Sequence, residues 1–258
     1  MSFLQDWLAG LPATVALALL AWAVATARSN AGLVDIFWSL FFLAAAAVYA
    51  VPAEAIDGRA LLVLALVALW SLRLAGYLAA RNWGAPEDHR YRAIRARNEP
   101  GFAWRSLYLV FGLQAVLAWI ISAPLAAAIG SGQPAGALDG AGAALVVFGL
   151  GFEALADAQL ARFKADPRNA GGVMDRGLWR YSRHPNYFGE FCLWWGFWLL
   201  AAAAGAWWTV FSPLLMSLLL LRVSGVALLE KDIGQRRPQY ANYVLRTNAF
   251  FPGPRRSV

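Results

Sequence analysis

Seven apolar runs constrain the fold of this chain more than any other feature of its sequence. They cover, approximately, residues 8–27, 32–51, 60–80, 106–129, 138–160, 186–204 and 207–229. A helix needs about 20 apolar residues to cross the hydrocarbon core of a bilayer, and each run is close to that length. Hydrophobic residues make up 60% of the chain and charged residues 14%, against about half and a quarter in soluble domains. The sequence therefore predicts an all-α, polytopic integral membrane protein with seven transmembrane helices.

Positive charge is concentrated in alternate loops, which predicts the orientation of these helices. The loops 81–105 and 161–185 and the tail 230–258 each contain six of the 22 Lys and Arg residues, and Arg28 lies in the first loop. On the other side of the predicted membrane, the loops contain Arg59 alone. Because cytoplasmic loops carry the excess of Lys and Arg, we expect the N-terminus outside and the C-terminus in the cytoplasm. Seven helices are the count that brings every Arg-rich segment to one side.

Composition also narrows the possible functions. The single cysteine, Cys192, forbids an internal disulfide. The two histidines, His89 and His184, cannot form a His-rich metal centre, so no metal site is predicted. The net charge of +7 is explained by topogenic charge in the loops, and no nucleic-acid partner is expected. The first apolar run lacks the basic region and cleavage site of a signal peptide, so we expect it to be retained.

Charged residues inside the apolar runs are the first candidates for a functional site, because such residues are costly in a membrane. The carboxylates among them are Asp35, Glu153, Asp157, Glu190 and Glu230. Interhelical ion pairing, for example of Asp35 with Arg73, is one explanation. Most of the five lie within two or three turns of the predicted cytoplasmic side, each turn rising about 5.4 Å. We therefore expect them to line a polar cavity that opens to the cytoplasm.

The segment 178–190 places many polar side chains where a basic loop enters an apolar run. Pro185 suits the first turn of a helix, and that helix carries Asn186 and Glu190 one turn apart on one face. The loop before it is rich in arginine, which binds phosphates, and in glycine, which allows close backbone approach. Topogenic charge alone would also explain this loop. With the tyrosines and arginines of the tail, the pattern favours a phosphorylated cofactor that has a planar ring.

The pattern Gly-x-Gly-x-x-Ala at residues 149–154 matches the dinucleotide-binding fingerprint. That fingerprint functions only between a strand and a helix, whereas this copy lies inside an apolar helix. Small residues in such a helix allow close helix packing. We therefore interpret Gly149 and Gly151 as packing positions.

Two polar segments carry a recognisable family pattern. The first runs from Gly177 to Glu190 and contains Asn186-Tyr187-x-Gly189-Glu190, and the second is Arg236-Arg237-Pro238-x-Tyr240-x-x-Tyr243. These segments resemble the steroid 5α-reductase family, in particular its bacterial membrane branch. Weaker similarity at residues 35–38, 70–81 and 87–91 extends the resemblance over nearly the whole chain. The resemblance implies a seven-helix membrane reductase that uses NADPH to reduce the carbon–carbon double bond of a 3-oxo-Δ4 steroid or a related enone lipid.

In two respects the chain departs from the animal enzymes of that family. Lys164 stands where they have arginine, which weakens bidentate binding of a phosphate. The Glu and Tyr that hold the steroid ketone in those enzymes have no clear counterpart, and Trp70 stands at the tyrosine position. Asp35 is a candidate to replace the Glu, and Tyr77 or Tyr91 to replace the Tyr.

The resemblance and the residues together predict a site with three roles. Asp35 and Tyr77 are the candidate catalytic residues, with Tyr91 as a further one, because a protonated carboxyl or a tyrosine hydroxyl can polarise the ketone. Trp38, Trp70 and Arg73 are expected to contact the substrate. The residues predicted to bind NADPH are Asp157, Lys164, Arg168, Arg180, Tyr181, Arg183, His184, Asn186, Tyr187, Glu190, Arg222, Glu230, Arg236, Tyr240 and Tyr243.

The predicted organisation is one domain over residues 1–258, in which the loops 81–105 and 161–185 and the tail 230–258 cap the cofactor. The expected partners are a lipophilic small-molecule substrate and membrane lipid. A composition rich in Ala, Leu and Arg fits a bacterial inner membrane.

Two other functions are compatible with parts of the pattern. Membrane methyltransferases that use S-adenosylmethionine, like the isoprenylcysteine carboxyl methyltransferases, also carry Arg-His-Pro-x-Tyr-x-Gly and a C-terminal Arg-Pro-x-Tyr. Asn186 and Glu190 count against that assignment, and the methyl donor has no phosphates for the loop arginines to bind. A non-catalytic membrane scaffold or a transporter is the second alternative. Retention of NADPH by the purified protein would count against that second alternative.

Overall fold

The computed structural model describes residues 3–52, 56–223, 225–226, 230 and 239–256. Every regular element within these ranges is helical, which confirms the predicted all-α class. The chain forms two compact units. The first comprises Met1–Asp139 and Leu200–Thr209, and the second comprises Gly140–Leu199 and Val210–Val258.

The first unit contains three long helices followed by shorter ones. The long helices are α1 (Phe3–Ala27), α2 (Val34–Ala50) and α3 (Gly58–Asn82). The shorter ones are α4 (His89–Asn98), α5 (Phe102–Ser106), α6 (Leu113–Ile121) and α7 (Ala123–Ile129). A π-helical turn, Leu107–Gly112, joins α5 to α6 into one continuous helix.

The second unit contains the rest of the described helices. They are α8 (Ala137–Ala165, which starts three residues before the unit boundary), α9 (Pro185–Ala203), α10 (Phe211–Leu218) and α11 (Tyr240–Arg246). Short 3-10 turns at Pro167–Asn169 and Gly177–Arg180 lie in the loop between α8 and α9. A π-helical turn, Leu219–Val223, continues α10.

Five helices of the described chain are long and apolar enough to cross a membrane. They are Phe3–Ala27, Ala31–Ala50, Gly58–Asn82, Phe102–Ile121 and Ala137–Ala165. They coincide with the first five apolar runs of the sequence, which supports a multi-pass membrane protein. At the sixth run stands α9, and the apolar helical stretch Trp207–Val223 stands at the seventh. Within the seventh predicted run, Ser224 and residues 227–229 lie outside the described residues.

The fourth run is divided, which its hydropathy did not indicate. Its long helix ends at Ile121, and the separate helix α7 follows from Ala123. Pro124 lies in the first turn of α7, where its missing N–H needs no partner and its fixed backbone angle favours the start of a new helix. The Ser122 hydroxyl donates to the Trp119 carbonyl at 2.7 Å, and every residue of α7 is buried.

The core of the first unit forms where α2 packs against both α1 and α3. Phe41, Phe42 and Trp70 are completely buried there. Ser39 and Ser71 are buried as well, and each hydroxyl donates to the other residue's carbonyl oxygen, at 2.9 and 2.8 Å. These reciprocal bonds satisfy the polar groups that the α2–α3 contact removes from water.

In the second unit, α8 and α9 approach each other through glycine. A β-carbon built on Gly149 would lie 2.5 Å from the carbonyl oxygen of Gly189, so no larger residue fits that contact unless the helices separate. At Gly151 a β-carbon would have no neighbouring atom within 4 Å. The interpretation of the Gly-x-Gly pattern as helix packing is thus confirmed at Gly149, whereas Gly151 lies on an exposed face.

Candidate functional site

A polar cluster in the first unit brings together two of the predicted catalytic residues; we call Asp35, Asp88, Arg90, Tyr91 and Gln114 the Asp35 cluster. The Tyr91 hydroxyl donates to Oδ1 of Asp35 at 2.5 Å. Arg90 donates to Oδ2 of the same carboxylate at 3.1 Å, and its Nε donates to Asp88 at 3.0 Å. The Gln114 amide lies 3.4 Å from the Tyr91 hydroxyl. Asp35 thus shares its two oxygens between a neutral donor and a cation.

Local sequence explains why α4 presents these side chains to α2. Asp88 is the N-cap of α4, and its carboxylate accepts a hydrogen bond from the Arg90 N–H at 2.9 Å. Glu87, just before the cap, accepts from the backbone N–H of Ala31 at 2.7 Å and pairs with Arg95 at 2.8 Å. These bonds attach the loop before α4 to the start of α2, where Asp35 lies.

Glycine at position 32 allows the Tyr91 ring to approach the chain. A β-carbon built on Gly32 would lie 3.2 Å from the ring and 3.1 Å from the side-chain oxygen of Asn30. That oxygen accepts from the Gly32 N–H at 3.0 Å and caps the short turn before α2. The ring of Tyr91 is therefore buried against the beginning of α2.

Electrostatics keep the Tyr91 hydroxyl protonated. Burial, together with the negative charge of Asp35, raises the pKa of Tyr91 well above its ordinary value. For Glu87 and Asp88, burial opposes ionisation, but hydrogen bonds from Arg95 and Arg90 prevail and lower both pKa values. The cluster therefore contains a neutral hydrogen-bond donor among ionised side chains.

The other residues predicted for catalysis or substrate contact lie on α2 and α3. Trp38 and Trp70 both pack on Phe42, with ring centroids 5.3 and 5.6 Å away, so the two predicted substrate contacts share one aromatic neighbour. Tyr77 lies beside Arg81, whose guanidinium is 5.7 Å from the ring centroid. Arg73 is half-buried on α3, one turn before Tyr77.

A second polar cluster lies in the second unit; we call Arg183, His184, Glu230 and Tyr240 the Glu230 cluster. Arg183 makes a bidentate pair with Glu230, with Nε–Oε1 at 2.6 Å and Nη2–Oε2 at 2.8 Å. The His184 Nε2 lies 3.0 Å from Oε1, and the Tyr240 hydroxyl donates to the same oxygen at 3.4 Å. Four residues predicted to bind the cofactor are thus bonded to one another.

Backbone contacts extend this cluster into an anchor for the tail. The remaining Arg183 nitrogen, Nη1, donates to the carbonyl oxygens of Val244 and Thr247 at 3.2 and 2.7 Å. The backbone N–H of Arg183 donates to the Asn248 carbonyl at 2.9 Å, and the Ser182 hydroxyl donates to that of Phe250 at 2.7 Å. All three guanidinium nitrogens of Arg183 therefore bond to protein acceptors and fasten the tail to the loop before α9.

Tyr243 belongs to the same anchor. Its buried hydroxyl bonds to the Trp179 carbonyl oxygen and donates to that of Ser182 at 3.2 Å. The Trp179 indole in turn donates to the Ala156 carbonyl on α8 at 3.0 Å. Burial raises the pKa of Tyr243, so this hydroxyl stays a donor.

Three buried carboxylates stand on the facing helices α8 and α9. Glu153, Asp157 and Glu190 are respectively 3%, 4% and 6% exposed. Asn186 lies one turn before Glu190, as the helix period predicts, and its amide donates to Asp157 at 3.3 Å. Carboxylates buried between apolar helices are costly, so this group, which we call the α8–α9 acids, remains the candidate for binding the hydroxyl and amide groups of a cofactor.

The remaining predicted cofactor residues lie mainly on the surface. Lys164, Arg168, Arg180, Tyr181 and Arg222 are exposed. Arg168 pairs with Asp166 at 2.8 Å. Tyr187 stacks on His184, with ring centroids 5.7 Å apart. The predicted contact Arg236 lies outside the described residues.

Several residues of these clusters were not predicted as site residues. Arg90, Asp88 and Gln114 surround the Asp35–Tyr91 pair. The first two stand in the segment 87–91, whose family resemblance was a usable signal. Gln114 lies inside an apolar run with no local pattern to mark it.

Comparison with known proteins assigns the chain to a family. A family model described as a protein of unknown function, DUF1295, matches residues 21–247. A Schizosaccharomyces pombe protein described as uncharacterized is 28% identical to the chain, over 90% of this chain and 75% of that protein. No solved structure matches this chain. Since the family model spans most of its length, the chain belongs to DUF1295, a family associated with steroid 5α-reductase-like membrane proteins.

Proposed function

We propose that this protein is a membrane reductase that uses NADPH to reduce the carbon–carbon double bond of an enone lipid, such as a 3-oxo-Δ4 steroid. The observation that carries the proposal is the hydrogen bond between Tyr91 and Asp35. A tyrosine and a carboxylate are the pair expected to hold the ketone, and here they meet although 56 residues separate them in sequence. The association of DUF1295 with steroid 5α-reductase-like proteins supports the same reaction class.

The chemistry of enone reduction explains why such a pair is useful. When the β-carbon receives a hydride, negative charge develops on the ketone oxygen. A donor aimed at that oxygen stabilises the transition state by a few kcal/mol, or about 10²–10³ in rate. The Tyr91 hydroxyl stays protonated and donates to Asp35 in this structure, so a bound ketone oxygen would take the place of Asp35 as the acceptor of that hydrogen bond. Asp35 orients that hydroxyl through the hydrogen bond it accepts.

The chain also contains side chains suited to the cofactor. Asp157, Asn186 and Glu190 offer acceptors and an amide for ribose hydroxyls and a carboxamide; the two carboxylates are buried and Asn186 is half-buried. The exposed cations Lys164 and Arg180 are suited to phosphates. Arg183 and His184 are better assigned to the tail anchor, because Glu230 holds both. When bound, NADPH would supply the hydride.

The proposal includes seven membrane spans, with the N-terminus outside and the C-terminus in the cytoplasm of a bacterium. Five spans are the long helices, and α9 and the stretch Trp207–Val223 provide the other two. An odd number of spans keeps the Arg-rich loops and tail on one side. A lipid substrate would then enter laterally from the bilayer.

Turnover of 3-oxo-Δ4 steroids with NADPH tests this function. We expect purified protein to oxidise NADPH in the presence of one or more members of a steroid panel. Tyr91→Phe and Asp35→Asn should each lower kcat by about 10²–10³ with little change in NADPH affinity, because the first removes the hydroxyl donor and the second removes the carboxylate that orients it. Tyr49→Phe is the matched control, since Tyr49 is also buried and its hydroxyl bonds to Ser122 at 2.7 Å. Equal losses in Tyr49→Phe and Tyr91→Phe would contradict the assignment.

Cofactor binding separates this function from the methyltransferase alternative. One observation favours the alternative: Arg183, predicted to bind a phosphate, has all its guanidinium nitrogens bonded to protein acceptors. If the protein is a reductase, Asn186→Ala and Glu190→Gln should weaken NADPH binding measured by fluorescence titration. Saturable binding of S-adenosylmethionine, with none of NADPH, would overturn the reductase and leave the methyltransferase.

A further inference from the structure

A cavity of about 250 Å³ lies in the first unit, at the end of that unit where α1 begins. Its wall includes Phe3 and Asp6 of α1, Ser131 after α7, and Trp208. The loop before α4 lies at the other end of α1, where Arg95 bonds to the Ser29 carbonyl. At 1.5 Å per residue, α1 is about 35 Å long. The cavity is therefore separate from the Asp35 cluster.

Asp6 places a negative charge in this wall without a matching donor. Its Oδ1 is buried, and the described part of the chain (3–52, 56–223, 225–226, 230, 239–256) offers it no hydrogen-bond partner. Its other oxygen, Oδ2, would lie 3.8 Å from a β-carbon on Gly130, at the carboxyl end of α7. Helix carboxyl ends present carbonyl oxygens rather than N–H groups. A buried carboxylate oxygen in such a place takes its hydrogen bond from water or from a group bound in the cavity.

Arg59, a cation at the same end of the unit, is engaged elsewhere. Its Nε and Nη2 bond to the two oxygens of Asp139 at 2.6 and 2.9 Å. Its Nη1 donates to the Ser131 hydroxyl at 2.9 Å and to the Gln133 carbonyl at 3.1 Å. Asp139 neutralises this guanidinium, and Ser131 is held by it as part of the cavity wall. Arg59 therefore does not serve as the counter-ion of Asp6.

The rest of the wall suits an organic cation better than a metal ion. Phe3 and Trp208 form an edge-to-face pair with ring centroids 4.6 Å apart. Carboxylates beside aromatic rings bind ammonium groups through charge and cation–π attraction. A hard metal ion would need six or more oxygen ligands, whereas most of the remaining lining residues are alanine and glycine.

Tryptophans near the start of α1 indicate that, with the proposed spans, the cavity lies at the depth of lipid headgroups. Trp7, one turn beyond Phe3, stacks on Trp119 with ring centroids 4.4 Å apart. Each indole N–H donates to the other residue's carbonyl oxygen, at 3.0 and 2.7 Å. Tryptophans gather at the membrane–water interface, where their polar edge meets the headgroups. Ammonium groups are available at that level from lipids and from solution.

We propose that this cavity binds a small organic ammonium group, with Asp6 as its counter-ion and Phe3 and Trp208 as its aromatic contacts. The group is either the headgroup of a lipid such as phosphatidylethanolamine or a free amine. This site is independent of the reductase function and of the α8–α9 acids.

Equilibrium dialysis of radiolabelled choline against the purified full-length protein in detergent tests the site. We expect saturable binding that the neutral isostere 3,3-dimethylbutan-1-ol does not displace. Asp6→Asn should weaken choline binding at least tenfold, because it removes the counter-ion. The matched control is Asp166→Asn, which removes a carboxylate from the second unit and should leave choline binding unchanged.

A second variant keeps the test informative if Asp6→Asn fails to fold. Ala204→Leu adds bulk to the wall without changing charge, and it should also weaken choline binding. Wild-type affinity in both variants, or equal displacement by the neutral alcohol, would overturn the proposal. Nanodiscs of phosphatidylglycerol with and without phosphatidylethanolamine then identify the source. Competition by phosphatidylethanolamine assigns the site to a lipid headgroup, and equal choline affinity in both assigns it to a free amine.

Discussion

At the scale of single residues, the half-buried carboxylates Asp35 and Glu230 are each satisfied by several partners at once. Asp35 bonds to both Tyr91 and Arg90, and Glu230 bonds to Arg183 and His184. Where water is excluded, the loss of one partner leaves the other charge uncompensated, which costs more than an exposed pair does. Exposed pairs such as Arg168 with Asp166 contribute little by comparison.

Glu230 gives the second unit a stability that depends on pH. Burial opposes its ionisation, but hydrogen bonds from His184 and Arg183 lower its pKa from the ordinary 4.5 to about 2. The unfolded chain therefore binds this proton more readily. The stabilisation is complete above pH 4.5 and is lost as the pH falls toward 2, by about 3 kcal/mol in total. Thermal unfolding in detergent at pH 6 and pH 3 should show this loss, and Glu230→Gln should abolish its share of it.

Glu99→Gln is the control for this prediction. Glu99 is exposed and lies 3.8 Å from Arg95, so its removal should leave the acid-induced loss of stability as in the wild type. Because acid affects the rest of the protein as well, the difference between wild type and Glu230→Gln is the relevant quantity. An identical fall in melting temperature in wild type and Glu230→Gln would show that Glu230 contributes nothing to the loss of stability in acid.

At the scale of elements, the approach of α8 to α9 depends on single glycine positions. Gly149→Val should separate the two helices, because its side chain would collide with the Gly189 backbone. We expect a loss of about 1–3 kcal/mol in the free energy of unfolding or a failure to fold. Denaturant unfolding in detergent measures the loss, and size-exclusion chromatography detects aggregation.

The same substitution two residues away is its control. Gly151→Val meets no atom within 4 Å and lies on an exposed face, so its stability should stay within about 0.5 kcal/mol of the wild type. Valine has nearly the same effect on helix propensity at both positions, so only packing distinguishes them. Similar losses at both positions would show that packing at Gly149 is not the cause.

At the same scale, some features of the helices follow from local sequence and others do not. The position of Asn186 one turn before Glu190 follows from the helix period, and the long helices follow from the apolar runs. The bond between Arg183 and Glu230 joins residues 47 apart, and no local rule predicts it. Hydropathy likewise missed the break at Ser122, since the residues on both sides are equally apolar. Arg183, His184 and Tyr240 were predicted to bind the cofactor from their residue types, and their bonds to Glu230 were not foreseen.

At the scale of the whole molecule, the number of spans determines the side of the membrane on which each loop lies. If the five long apolar helices all cross, the loop after α8 lies on the same side as the Arg-rich loop after α3. If α9 and the stretch Trp207–Val223 also cross, the residues between them lie outside. If neither crosses, the same residues lie in the cytoplasm. The tail lies on the same side in both cases, so position 204 is the informative one.

Labelling of single cysteines with an impermeant maleimide distinguishes seven spans from five. Cys192 is the sole cysteine, so Cys192→Ser provides the background. In intact spheroplasts we expect Ala135→Cys, in the loop before α8, and Ala204→Cys, after α9, to be labelled, because seven spans place both outside. Ala165→Cys, at the end of α8, should react only after lysis. If Ala204→Cys is labelled only after lysis while Ala135→Cys and Ala165→Cys behave as expected, the protein has five spans, which contradicts the proposed topology.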